Sequence, residues 1–300
     1  LHKNKGLFLI ISSGILWGAS GTSAQALLHN THLSTYWLTG IRLLCAGSLL
    51  LAYYFLRTRQ NIFAIWKDKN MARQLVLFAF FGMFPAQFTY FMAVNYGDAA
   101  TATILQFLGP IFILLFLIFR WHRRPTRLDV VCVFFALLGT FLLVTKGHVS
   151  QLTLAPAAVF WGVMAGVSQA SYTLLPDQLL KKFKAELVCG WAMILGGLPF
   201  IPLLVTSTPP SFTGRDWGQL AYIIIFGTAV AFLFYLSSLH YLKPTTTSML
   251  SAFEPLTATI LSILLLGTVF SWIQVIGGVL IIGVTFLQGW YAQKVMQMKE

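Results

Sequence analysis

Charge is scarce in this 300-residue sequence: Asp, Glu, Lys and Arg together make up only 9%. Ordinary soluble domains carry about 25%. Acids are scarcer still, with 8 Asp and Glu against 20 Lys and Arg. So few charges cannot cover the surface of a soluble domain of this length, which excludes one. Cysteine is nearly absent. The three that occur, Cys45, Cys132 and Cys189, lie inside apolar stretches without CxxC spacing, so neither a disulfide framework nor a zinc site is supported. No His, Cys or acid cluster has metal-ligand spacing, and no glycine-rich loop is built to cradle phosphate. No cofactor and no metal are therefore expected, and ATP-driven transport by this chain alone is disfavoured.

What the sequence has is apolar length. Hydrophobic types make up 57% of it, and the mean hydropathy is +0.77. A membrane-spanning helix takes roughly 20 apolar residues. Ten apolar segments can be drawn, at 7–28, 33–56, 75–96, 98–119, 128–145, 155–176, 186–205, 217–240, 244–266 and 272–290. Their runs are continuous rather than alternating, which predicts helices and not barrel strands. The first run continues to Leu28 and a second follows, so it reads as a span rather than a cleavable leader.

The net charge of +12 does not point to nucleic acid, because the basic residues sit in short runs between spans. With ten spans, seventeen Lys and Arg fall on one side and only Lys146 and Arg215 on the other, Arg42 lying within a span. The positive-inside rule then puts both termini in the cytoplasm.

The chain also matches itself at an offset near 145. Trp17-Gly18 matches Trp161-Gly162, and Gln25 matches Gln169. Tyr90 matches Tyr235, and Pro110 matches Pro255. Two five-span halves, 1–150 and 151–300, follow. An odd number of spans per half turns the second upside down relative to the first. Inverted repeats are a device of secondary transporters, with the solute site near the midplane between the halves.

Several short motifs lie in order along these spans: Leu16-Trp17-Gly18, Ile41-Arg42-Leu43-Leu44, Phe253-Glu254-Pro255, and Ile276-Gly277-Gly278 with Gly283. In that order and spacing the chain resembles the EamA-type family of the drug/metabolite transporter superfamily, over nearly its whole length. The resemblance implies ten helices in inverted five-helix halves. It also implies movement of small metabolites, often amino acids, by alternating access. One departure is that Leu265-Leu266-Gly267 is followed by Thr268, where family members often carry Glu.

Charged residues inside spans are costly and default to functional candidates. Glu254, about ten residues into the ninth span, should face the bundle interior or be protonated. It is the candidate for proton coupling or for binding a substrate amine, the alternative being a structural acid hydrogen-bonded to a neighbouring helix beside Pro255. Arg42, about nine residues into the second span, could neutralise a buried acid, receive a carboxylate or hold helices together. Amides and hydroxyls suit a polar cavity without full charge. That brings in Gln25, Gln169, Tyr90, Tyr235, Gln106 and Ser251. Trp17 and Trp161 could stack on a solute or pack. Pro110 and Pro255 should kink the fourth and ninth helices.

The resulting expectation is an all-α integral membrane protein in the cytoplasmic membrane. It would be a transporter and not an enzyme, an exporter of small metabolites such as amino acids. Its partners would be a small-molecule solute and lipid but no nucleic acid, and it would act as a monomer or homodimer. A channel, a non-transporting scaffold or sensor, and a membrane-embedded enzyme are the alternatives.

Overall fold

The computed structural model describes residues 2–121, 126–146, 154–208, 210–238, 241–242, 247 and 250–297. All regular structure among them is helical. α1 (His2–Thr31) and α2 (Thr35–Thr58) are followed by α3 (Lys69–Phe78), which passes through a π turn at Ala79–Met83 into α4 (Phe84–Tyr96). Next come α5 (Ala99–Gln106), α6 (Gly109–Trp121), α7 (Arg127–Thr145), α8 (Pro156–Leu174) and a short α9 (Asp177–Lys182). α10 (Ala185–Gly197) runs through a 3₁₀ turn into α11 (Ile201–Thr206). α12 (Gly214–Ile224) passes through a second π turn, Ile225–Val230, into α13 (Ala231–Ser238). α14 (Phe253–Leu266) and α15 (Trp272–Gln297) complete the order.

Six helical stretches among the described residues are long and apolar enough to cross a membrane: Asn4–Thr31, Thr35–Thr58, Lys69–Tyr96, Ala99–Phe116, Ala185–Thr206 and Gly214–Ser238. Shorter apolar helices lie at Val130–Leu143, Phe253–Leu266 and Trp272–Val284. In the eighth and ninth expected spans, residues 239–240, 244–246 and 248–249 lie outside the described residues.

Apolar side chains face outward in numbers no aqueous surface tolerates. Phe119, Leu264 and Val269 are exposed, while Arg42, Gln25, Gln87 and Glu254 are buried. Polar groups inside and apolar groups outside are what hydrocarbon selects, so the chain is a multi-pass membrane protein.

Helix ends follow local chemistry. Asp98 Oδ1 accepts from the Thr101 amide at 2.8 Å and starts α5. Asp68 does the same for α3. Thr213 and Asp216 form a reciprocal capping box on α12. Gly267, with φ +66°, ends α14 in the left-handed conformation that glycine adopts without penalty.

Elements recur along the chain. α3 and α12 begin 145 residues apart, as do α7 and α15, and each of the first pair runs into a π turn. The packing recurs too. α2 lies along α10 and α7 along α15, while α1 packs on α13 and α14, and α8 on α4, α5 and α6. Glycines set the closest seams. A Cβ on Gly277 would stand 2.6 Å from the Gly139 carbonyl oxygen, and one on Gly47 2.8 Å from that of Gly190. The α2–α3 connection is tied to α10, where Trp191 Nε1 donates to the Ile62 carbonyl at 2.8 Å, and Arg57 in the last turn of α2 pairs with Glu186 of α10 at 3.4 Å.

Candidate functional site

The fourth and ninth expected spans are each broken. α5 ends at Gln106, and after a turn at Phe107–Leu108 the chain resumes as α6; a turn at Ser251–Ala252 likewise precedes α14. Pro110 is the second residue of α6 and Pro255 the third of α14. In the fourth span the expected bend within a continuous helix is thus a break between two helices, and in the ninth Pro255 falls in the first turn of α14. A proline in the first turn has no intrahelical N–H bond to lose, so both are placed where they cost least. The break gives α14 an N-terminus inside the bundle. Glu254, its second residue, sits in the first turn, where the helix dipole favours an acid. α1 presses against that turn. Cβ atoms on Gly14 and Gly18 would stand 3.0 Å from the Glu254 amide nitrogen and 2.6 Å from its carbonyl oxygen.

A cavity lies between these elements. Trp17, Gly21, Arg42, Tyr90, Gln106 and Glu254 line it, and Ser20, Gln87, Phe91, Gln169, Tyr172 and Phe232 complete most of its wall. Its volume is about 30 Å³, room for about two water molecules. A solute the size of an amino acid therefore requires the lining helices to move apart.

Arg42 is held from two sides. Its Nε and Nη2 donate to Thr228 Oγ1 at 3.1 and 2.8 Å. The guanidinium lies over the Phe91 ring, 4.1 Å from the centroid, a contact strengthened by the absence of water. Thr228 belongs to the second π turn, and its hydroxyl donates back to the Ile223 carbonyl at 2.8 Å. Among the described residues no ion pair joins Arg42 or Glu254 to an opposite charge. Gln106 Nε2 donates to Gln169 Oε1 at 3.1 Å. The Tyr90 hydroxyl bonds with Thr103 Oγ1 at 3.2 Å and occupies the space a Cβ on Gly21 would need.

Of the residues nominated from sequence, Trp17, Arg42, Tyr90, Gln106, Gln169 and Glu254 meet at this cavity. Tyr235 stands behind it, its ring 5.2 Å from that of Trp17. Gln25, Trp161 and Ser251 lie outside the lining. Gln25 Oε1 accepts from the Ala99 amide at 2.8 Å, satisfying one of the free amides at the start of α5. Trp161 packs edge-on against Phe88 at 5.5 Å and Phe160 at 5.1 Å. Ser251 is buried in the turn before α14.

Sequence reasoning missed Ser20, Gln87 and Tyr172. Each stands three residues from a nominated one (Trp17, Tyr90 and Gln169), on the same helix face, and that spacing was the available signal. It also missed Thr228, whose role depends on a π turn that no hydropathy pattern announces.

Two stretches, residues 4–145 and 156–289, match the sequence profile of the EamA-like transporter family. The chain belongs to that family. It is 34% identical over 284 residues to the Uncharacterized inner membrane transporter YicL of Salmonella typhimurium, covering 94% of each chain. A WAT1-related chloroplastic protein of Arabidopsis thaliana is 24% identical over 297 residues, 92% of this chain and 68% of that one. A protein crystal structure superposes with a TM-score of 0.64 over 98% of this chain and 99% of the other. At 18% identity, that match concerns the fold alone. As an EamA-like protein, the chain is a membrane transporter.

Proposed function

We propose that this EamA-like protein is a secondary transporter that exports small metabolites, amino acids first among them, across the cytoplasmic membrane by alternating access. The observation that carries the reading is the cavity itself. A buried cation, Arg42, and a buried acid, Glu254, line one small cavity with several amide and hydroxyl groups. Membrane segments keep such charges where solutes or ions pass. The recurring elements, the two broken spans and the two stretches matched by the family profile support two five-span halves, the second inverted. In this reading ten spans cross the bilayer, both termini are cytoplasmic, and one chain suffices as the working unit, alone or in a homodimer. Rocking of the halves about the glycine seams opens the cavity to each side in turn.

Solute flux in proteoliposomes tests this. Vesicles loaded with a mixture of the twenty amino acids should release some of them selectively, faster than protein-free vesicles. Release of none moves the substrate to another class of metabolite, and conductance above carrier rates makes the protein a channel. Glu254 is the proposed site of proton coupling. Glu254→Gln should abolish the response of flux to an inward proton gradient, and a variant that keeps the full response removes Glu254 from coupling.

A further inference from the structure

Arg42 is the group in this cavity that the protein leaves half-used. A guanidinium presents five N–H donors in rigid forks. One fork, Nε with Nη2, closes on the single oxygen of Thr228. The guanidinium carbon lies 4.1 Å from the centroid of the Phe91 ring. The other fork is made by Nη1 and the outer edge of Nη2, and Nη1 has no hydrogen-bond partner among the described residues. Yet the side chain is only 2% exposed. Nearby, Ser20 and Gln106 line the same cavity, and Ser20 Oγ and Gln106 Oε1 likewise have no partner among the described residues. A buried cation without a counter-charge is costly. Three unsatisfied polar atoms around one small space are the complement of something polar.

We propose that Arg42 is the carboxylate-binding residue of the cavity. Its free Nη1–Nη2 fork matches the two oxygens of a carboxylate, a planar bidentate pair that a lysine cannot make. Thr228 and Phe91 fix the plane of the fork before the solute arrives, so little is lost in ordering it. Glu254 on the first turn of α14 takes the ammonium group of the same solute. The cavity then selects zwitterions, rejecting amides and amines that lack the carboxylate. This rests on the transport reading for how a solute reaches Arg42, but binding and flux are separable.

The test is equilibrium binding to the purified full chain in detergent. The probes are the twenty amino acids, the corresponding amino-acid amides and the N-acetyl amino acids. At least one free amino acid should bind, and its amide should bind at least tenfold more weakly. Arg42→Lys, which keeps the charge, should weaken the acid about tenfold and bring the acid-to-amide ratio close to one. Thr228→Ser keeps the acceptor and should keep the ratio. Should Arg42→Lys fail to fold, the wild-type ratio decides alone. Amides binding as tightly as acids, an unchanged ratio in Arg42→Lys, or binding by no probe would overturn the proposal. Carboxylate-selective binding without flux keeps this site and removes the transporter. Flux inhibited equally by acids and amides does the reverse.

Discussion

Thr228 and Gly21 show how single residues define the cavity. Thr228 gives Arg42 its only hydrogen-bond acceptor among the described contacts. A hydrogen bond to a charged group contributes about 1.5–3 kcal/mol. Thr228→Val keeps the shape and removes the acceptor, so it should cost about 2 kcal/mol by that measure, and Thr228→Ser should recover most of it. Thermal unfolding in detergent reads both. Gly21 makes room for the Tyr90 hydroxyl. Gly21→Ala should destabilise by about 1–3 kcal/mol, as overpacking does. In a Tyr90→Phe background most of that penalty should vanish, because the obstructing oxygen is gone; equal penalties in both backgrounds would place the clash elsewhere. At this scale the sequence was legible for charge and poorly legible for partnership. Arg42 and Glu254 stand out because a charge in an apolar run is conspicuous. That Gln25 caps α5 while its repeat partner Gln169 lines the cavity depends on which neighbour each meets, and composition does not encode that.

Helices meet through glycine. Gly139 with Gly277, and Gly47 with Gly190, bring α7 onto α15 and α2 onto α10 at distances that leave no room for a side chain. Gly277→Leu should separate α7 from α15 and lower the thermal midpoint. The same change at Gly283, where a Cβ would meet nothing within 4 Å, should be tolerated. Outside the membrane, Asp68 caps α3 and pairs with Lys182 at 3.3 Å. The Met71 amide first, with Lys182 and the Asn70 amide, holds its carboxyl below the usual carboxylate value. A carboxyl lowered in the folded state stabilises above its unfolded pKa, near 3.9, and loses that contribution as pH falls through the folded value. Stability should therefore be flat from Asp68 at neutral pH and fall in acid, and Asp68→Asn should flatten that acid limb. The apolar runs made these helices legible. The breaks before α6 and α14 were not, because proline marks a bend and the start of a new helix alike.

On the scale of the molecule, the sequence carries more. Long apolar runs, lopsided basic loops and matches at a fixed offset are global patterns that survive local ambiguity. Among the described residues, helices recur at matched positions: two run into π turns, and α6 and α14 each begin just after a turn, about 144 residues apart. The small cavity was not foreseeable, since its size depends on how helices close and not on what they are made of. A space of about 30 Å³ requires the lining helices to move apart for a solute the size of an amino acid to pass. A single reporter cysteine tests this most directly. Gln87→Cys lines the cavity, and Cys45, Cys132 and Cys189 can be replaced so that it is the only thiol. A membrane-impermeant thiol reagent is applied to right-side-out and to inside-out vesicles. Alternating access predicts modification from both sides, slowed in each case by the transported solute. Modification from one side only, or from neither, would contradict it.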